Sequence, residues 1–203
     1  MIANRFNPLG KWIGKPLPYA YRVEYIETTG DNPVCFNTQL PTNLFNADIT
    51  NFEFKLAITQ SRLQIALGGS PNLKQLVVSG SSIRTDWFEG ASFRLGGRVS
   101  TNGEPFTVTQ VDGQFNVPNL SGEVTYSSTQ ESPVYLFARY NQSSTYLTGR
   151  IYSLVLWNRT SGNKIANIYP VMSLEGELCF YDDVRDLFMP KLWSGSIVAG
   201  KRI

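Results

Sequence analysis

The sequence predicts an all-β domain, a sandwich or a barrel, and three observations predict it. Apolar and polar residues alternate with a period of two through many short segments, most clearly in Asn51-Phe52-Glu53-Phe54-Lys55-Leu56-Ala57-Ile58. Clusters of Gly, Pro, Asn, Asp and Ser separate these segments at intervals of about 8–12 residues, the spacing of short strands joined by turns. No 12-residue window carries the i, i+3, i+4 spacing of an amphipathic helix.

The chain opens differently from the rest. Residues 1–23 contain Arg5, Lys11, Lys15 and Arg22, and the first carboxylate is Glu24. This opening is +4, while the whole chain, with 18 Lys+Arg and 16 Asp+Glu, is +2, so the remainder is −2. Pro8, Pro16 and Pro18 forbid a continuous helix, and Gly10 and Gly14 add turns. Yet Phe6, Leu9, Trp12, Ile13 and Leu17 are large and apolar. We expect residues 1–20 to be an extended basic arm that docks onto a partner, with Arg5, Phe6, Leu9, Lys11, Trp12, Ile13 and Leu17 as its docking residues, and residues 21–203 to form one domain. Burying five side chains does not offset the entropy of ordering the arm, so docking calls for backbone hydrogen bonds as well, as in strand addition to a sheet edge.

From Tyr21 the period becomes two: Tyr21, Val23 and Tyr25 alternate with Arg22, Glu24 and Ile26. Thr29-Gly30-Asp31-Asn32-Pro33 is a turn cluster, followed by a short strand over 34–38. Strands are expected at 51–58 and 63–67, the latter broken by Gly68-Gly69-Ser70-Pro71-Asn72. Further strands are expected at 76–78, 82–88, 93–99, 106–111 and 114–117. Asp112-Gly113 joins the last two and is a strong two-residue hairpin signal. Core strands are expected at 134–139 and 151–157, the second turning at Asn158-Arg159-Thr160-Ser161-Gly162 to pair with 165–169. Segments 177–181 and 196–199 close the chain.

The chain has no histidine, which excludes a Ser-His-Asp triad, a Cys-His pair and any His-ligated metal. Two cysteines cannot make a Cys₄ site, and we read Cys35 and Cys179 as buried free thiols. A charge of +2 spread over the chain argues against nucleic acid as a partner. No run reaches the roughly 18 apolar residues that span a bilayer, and the opening residues do not read as a signal peptide, so no membrane partner is expected. The sequons at Asn119, Asn141 and Asn158 then read as chance.

Glycoside hydrolysis needs two carboxylates flanking one bond, and no E-x-D-x-x-E strand motif occurs. Glu175-Gly176-Glu177 is nearest but lies on a turn, and Glu24 and Glu27 face opposite sides of their strand. Gly68-Gly69 and Gly96-Gly97 match no phosphate loop. We expect no enzyme and no cofactor. Glycan binding needs exposed aromatics with amide or carboxylate neighbours. Trp157 ends the most apolar strand and is expected in the core, whereas Trp87 sits near a loop, and Asn141, Gln142 and Tyr146 share another. Trp87, Asn141 and Tyr146 are the candidate glycan-binding residues.

Several blocks carry a family resemblance. Val23-Glu24-Tyr25-Ile26-Glu27-Thr28-Thr29-Gly30 and Val34-Cys35-Phe36-Asn37-Thr38 stand near the start. Gly149-Arg150-Ile151-Tyr152-Ser153-Leu154-Val155-Leu156-Trp157-Asn158 and Ile165-Ala166-Asn167-Ile168-Tyr169-Pro170-Val171 follow in the last third. Gly176-Glu177-Leu178-Cys179-Phe180-Tyr181-Asp182 and Ser194-Gly195-Ser196-Ile197-Val198-Ala199-Gly200 end the series. In this order they resemble a concanavalin A-like, or laminin G-like, jelly-roll domain of the branch found in bacteriophage virion proteins and bacterial surface proteins. The resemblance implies a two-sheet antiparallel jelly-roll sandwich preceded by the arm. It implies a function among glycan binding, protein binding and virion building. Lectins of this fold often hold calcium, but Asp182, Asp183 and Asp186 lack the ligand spacing of a calcium loop, and we read Asp182 as a turn cap. We therefore expect a structural virion protein (capsid-associated, decoration or head-fiber type) that assembles through its arm with other virion proteins or with its own copies. It would be made in the bacterial cytoplasm and reside in the virion. The alternative is a lectin-like module of a tail or bacterial surface protein that binds a surface glycan.

Overall fold

Two strands form the spine of the fold, β4 (Thr50–Ile58) and β13 (Gly149–Asn158), which pair from Gly149↔Ile58 to Asn158↔Thr50. A methyl group at position 149 would collide with the Ala57 carbonyl, so the close approach of these strands requires Gly149. The computed structural model describes residues 16–30, 32–45, 48–69, 75–79, 82–85, 93–95, 99–118, 120–123, 133–138 and 145–203.

The large sheet grows outward from this spine. On the β4 side lie β9 (Pro105–Val111), β10 (Gln114–Val117) and β11 (Leu120–Glu123). On the β13 side lie β14 (Lys164–Ser173), β15 (Leu178–Asp182) and β16 (Leu187–Phe188). β1 (Tyr19–Arg22) pairs with the end of β14, β2 (Ile26–Thr28) with the start of β13, and β17 (Ile197–Ala199) with β2. The second sheet runs β3 (Phe36–Pro41), β12 (Pro133–Leu136), β5 (Leu63–Gly69), β6 (Gln75–Ser79), β7 (Ser82–Thr85) and β8 (Phe93–Leu95).

Every pairing between these strands is antiparallel, and the chain crosses repeatedly from one sheet to the other, at 41–50, 58–63 and 136–149 among other places. This is the two-sheet antiparallel jelly-roll sandwich that the sequence predicts. A single turn of 3₁₀ helix, Thr42–Phe45, links β3 to β4. The core lies between the sheets. In β4, Phe52, Phe54 and Leu56 are buried while Glu53 and Lys55 are exposed, as period-two patterning requires. Phe36 of the small sheet meets Phe180 of the large one edge to face, at 5.1 Å between ring centroids.

The Asp112-Gly113 turn forms as expected, with φ of 51° and 82° at the two loop positions and Gln114 paired to Val111. Asn51 supports it by accepting the Asp112 N–H at 2.9 Å. Several expectations need adjustment: β5 stays paired through Gly68 and Gly69, and the strand expected over 134–139 ends at Leu136. The segment expected as a strand at 34–38 pairs instead at Phe36–Pro41, because Val34 and Cys35 turn inward and lie fully buried. The continuous strand expected from Tyr21 is split: Val23 bridges to Arg202, and the chain bends before β2. Trp157 is half-buried, not a core residue. Leu154 and Leu156 take the core face, so Trp157 falls on the other side of the strand, beside a bulge in the pairing with β14.

Candidate functional site

The β14–β15 hairpin organises the surface that matters most. Its two strands pair from Ile168↔Asp182 to Met172↔Leu178. Ile168 and Phe180 belong to the core between the sheets. Their neighbours Tyr169 and Tyr181, paired directly across the two strands, therefore point to the outer face. Tyr19 of β1 joins them there. The ring centroids are 6.1 Å apart for Tyr19 and Tyr169, 5.3 Å for Tyr19 and Tyr181, and 6.1 Å for Tyr169 and Tyr181. With Val171 these rings make a second, smaller buried cluster outside the main core.

Charged groups cover the cluster. The Arg22 guanidinium lies 3.9 Å above the Tyr169 ring and that of Arg202 lies 4.6 Å from Tyr21. Tyr181 donates a hydrogen bond to Asp186 at 2.5 Å, and the Tyr19 and Tyr169 hydroxyls lie 3.3 Å apart. Burial pushes the phenols of Tyr169 and Tyr181 well above their ordinary range, helped by those hydrogen bonds. The same device recurs along the sheet, where Lys55 covers Tyr152 and Arg150 covers Tyr25. Arg150 is also held by Glu27 at 2.9 Å. Among the described residues, Arg22 and Arg202 have no carboxylate partner.

Two clefts lie against the hairpin. The first, of about 610 Å³, is lined by Tyr21, Arg22, Tyr169, Asp183 and Arg202, and its wall includes Pro16, Leu17 and Pro18. This is where the expected arm joins the body. Leu17 is 50% exposed, whereas Tyr19 two residues on is buried in the tyrosine cluster. The sheet thus takes hold of the chain at Tyr19. The second cleft, of about 690 Å³, lies at the β14–β15 turn and is lined by Glu175, Glu177, Leu178, Cys179, Met189 and Ile197 among others. Cys179 is half-buried and its thiol is pushed up to about 11, first by burial and then by the carboxylates of Glu177 and Glu175.

Asp182 caps the turn that follows β15, as the sequence suggests. It is fully buried, and its Oδ1 accepts the backbone N–H groups of Asn167 and Val184, each at 3.0 Å. Its Oδ2 pairs with Arg185 at 2.5 Å, and Arg185 reaches on to the Thr38 and Gln39 carbonyls of the other sheet. Asp183 accepts from the Asn167 side chain. Among the described residues, no group of three His, Cys, Asp or Glu is placed to hold a metal ion. Both cysteines are free, Cys35 in a cluster with Tyr135 and Tyr146 on the small sheet and Cys179 on the large one.

Of the residues singled out in the sequence, Arg5, Phe6, Leu9, Lys11, Trp12, Ile13, Trp87 and Asn141 lie outside the described residues. Leu17 stands at the arm root. Tyr146 is buried, its hydroxyl donates to the Gly30 carbonyl at 2.6 Å, and Arg62 covers its ring, so it offers a ligand little free surface. The sequence reading missed Tyr19, Tyr169, Tyr181 and the two covering arginines. The signal was present: each of Tyr169 and Tyr181 follows a core residue by one position, and both fall on the same face once 165–169 and 177–181 are paired.

No family model matches the chain, and no curated protein matches it. Among solved structures, the chain is similar to the native heptameric SAP-like pentraxin from Limulus polyphemus, with a TM-score of 0.49 and 8% sequence identity over 88% of this chain and 95% of that one.

Proposed function

We propose that this chain is a structural subunit of a phage particle, a β-sandwich without catalytic chemistry that is mounted on its neighbours by the N-terminal arm. One observation carries the reading: the sheet grips the chain at Tyr19, and directly before it Pro16-Leu17-Pro18 presents an exposed leucine at the surface. Everything upstream is basic and carries Phe6, Leu9, Trp12 and Ile13. A fixed exit point followed by spaced apolar anchors suits attachment to another subunit, where large side chains fill pockets and cations meet an acidic rim. The sequence blocks also resemble, in their order, those of virion jelly rolls, which supports the same reading.

The test is a truncation. Tyr19 belongs to the body, so the cut falls after residue 15. A chain lacking residues 1–15 is expected to keep its unfolding midpoint and to disappear from assembled particles. Normal incorporation of the truncated chain would reject the proposal.

The cleft at the arm root favours a second reading, a lectin-like module. Its arginines donate, Asp183 accepts, and half-buried Tyr21 supplies an aromatic wall, a lining suited to a polyhydroxyl ligand. A glycan array with wild type, Arg202→Ala and Trp87→Ala tests it. Absence of any sugar bound by wild type removes this reading. Loss in Trp87→Ala alone moves the site away from the cleft.

A further inference from the structure

We infer that the cleft at the β14–β15 turn of one copy receives residues 1–15 of a second copy of this chain. The inference rests on the arm-docking reading and names its partner. The cleft matches that segment in three respects. Its lining includes the apolar side chains of Leu178, Met189, Pro190 and Ile197, which suits Phe6, Leu9, Trp12 and Ile13. The segments that frame it expose further large apolar side chains, namely Leu174, Phe188, Leu192 and Val198.

The charges are complementary. Residues 1–15 hold Arg5, Lys11 and Lys15 and no acid. The cleft sets exposed Glu175 and Glu177 against the single cation Lys191. Both carboxylates act on the Cys179 thiol inside it, so the negative potential reaches the cleft floor. A backbone edge is also at hand. β17 pairs with β2 on one side, its other side is unpaired among the described residues, and Ile197 of that strand lines the cleft.

Reach and direction favour a second copy over the same one. Fifteen residues extend to about 50 Å, enough to cross to a neighbour. Tyr19 pairs with Ser173 beside the turn, but Pro16, Leu17 and Pro18 line the cleft shared with Tyr169 and Asp183 and none of them lines the cleft of Glu175 and Glu177. Pro16 and Pro18 have fixed φ and disfavour the reversal that a return to the same molecule needs. The contact is therefore heterologous, arm of one copy into cleft of the next, which builds a ring or an open array.

The experiment measures the mass of the full chain in solution by light scattering over a concentration series. It compares wild type with Glu175→Lys/Glu177→Lys, with Arg5→Glu/Lys11→Glu/Lys15→Glu, and with the chain lacking residues 1–15. Wild type is expected to exceed the monomer mass as concentration rises. Each variant alone is expected to associate about a hundredfold more weakly, because like charges now face each other or the arm is gone. An equimolar mixture of the two charge-reversed chains is expected to recover association, since each arm again finds an opposite rim. The substituted glutamates are exposed, and unchanged unfolding midpoints check that the variants fold. A wild type that stays monomeric, a glutamate pair that associates like wild type, or a mixture that fails to recover would each overturn the inference. If truncation empties the particles of this chain while Glu175→Lys/Glu177→Lys enters them normally, the arm docks on another partner. The inference then fails and the arm-docking reading stands.

Discussion

Replacing Asp182 by alanine should be the most destabilising single change near the hairpin. The carboxylate is fully buried and accepts two backbone N–H groups at 3.0 Å, from Asn167 and Val184, besides pairing with Arg185. Truncating one member of a buried ion pair costs about 3–5 kcal/mol. Each backbone donor left unpaired in the interior adds about 1–3 kcal/mol before relaxation. These contributions overlap, and we expect a loss of about 4–6 kcal/mol. For a chain of this size that lowers the melting temperature by roughly 8–24 °C. Urea unfolding followed by tryptophan fluorescence measures it. Asp182→Asn keeps an acceptor for the backbone donors but loses the charge, so it should fall between wild type and alanine. Arg185→Ala should cost less in an Asp182→Ala background than in wild type, because the guanidinium then has no carboxylate to lose. A loss below about 1 kcal/mol for Asp182→Ala, or equal losses for alanine and asparagine, would refute the account of this residue as both cap and counter-ion.

Three further outcomes follow from the same structure. Gly113→Ala forces a methyl-bearing residue to φ of 82° in the β9–β10 turn and should cost about 1–2 kcal/mol in chemical unfolding, with no change in the m-value. Gln110 is fully buried and neither amide atom of its side chain has a hydrogen-bond partner among the described residues, so Gln110→Leu should leave stability unchanged or raise it by about 1 kcal/mol. The Cys35 thiol is pushed up by burial to about 12 from 9.0. The native state therefore holds its proton more tightly than the unfolded chain. Stability is full below pH 9 and falls as pH rises toward 12, and Cys35→Ala should flatten that decline in a pH series of unfolding curves.

The fold was legible because burial in this chain obeys period two. Phe52, Phe54 and Leu56 announce β4, and Asp112-Gly113 fixes the β9–β10 register without any tertiary information. Strand ends were less legible. Val34 and Cys35 look like strand residues by composition, yet they are buried off the ladder, and propensity alone cannot separate burial from pairing. Trp157 illustrates the same ambiguity, since an apolar run does not say which of its faces meets the core. The outer tyrosine cluster depends on three segments from residues 19, 169 and 181 meeting in space, and only the register of β14 with β15 and β1 brings them together. Charge and proline carry the expectation of an arm, whose residues 1–15 lie outside the described residues. Tyr19, within the expected span 1–20, is buried against Tyr169 and Tyr181 of the sheet.

That anchoring bears on how an assembly could acquire a defined geometry. A flexible arm fixes which subunits touch but leaves their relative position open. Here Tyr19 pairs with Ser173, which lines the acid-rimmed cleft at the turn of a hairpin whose paired stretch of four residue steps spans about 14 Å. The hairpin is held on its inner face by Ile168 and Phe180 in the core and on its outer face by the tyrosine cluster. Asp182 and Arg185 tie it to the small sheet through Thr38 and Gln39. An element clamped on both faces transmits displacement instead of absorbing it. If one copy's arm is seated in the next copy's cleft, the offset between successive copies is set by this rigid hairpin plus the length of arm between Tyr19 and its first anchor. Lengthening that connector by two residues between Lys15 and Pro16 should then loosen the spacing of copies without abolishing their association, and small-angle scattering of the assembled wild type and the insertion variant separates a change in spacing from a loss of contact.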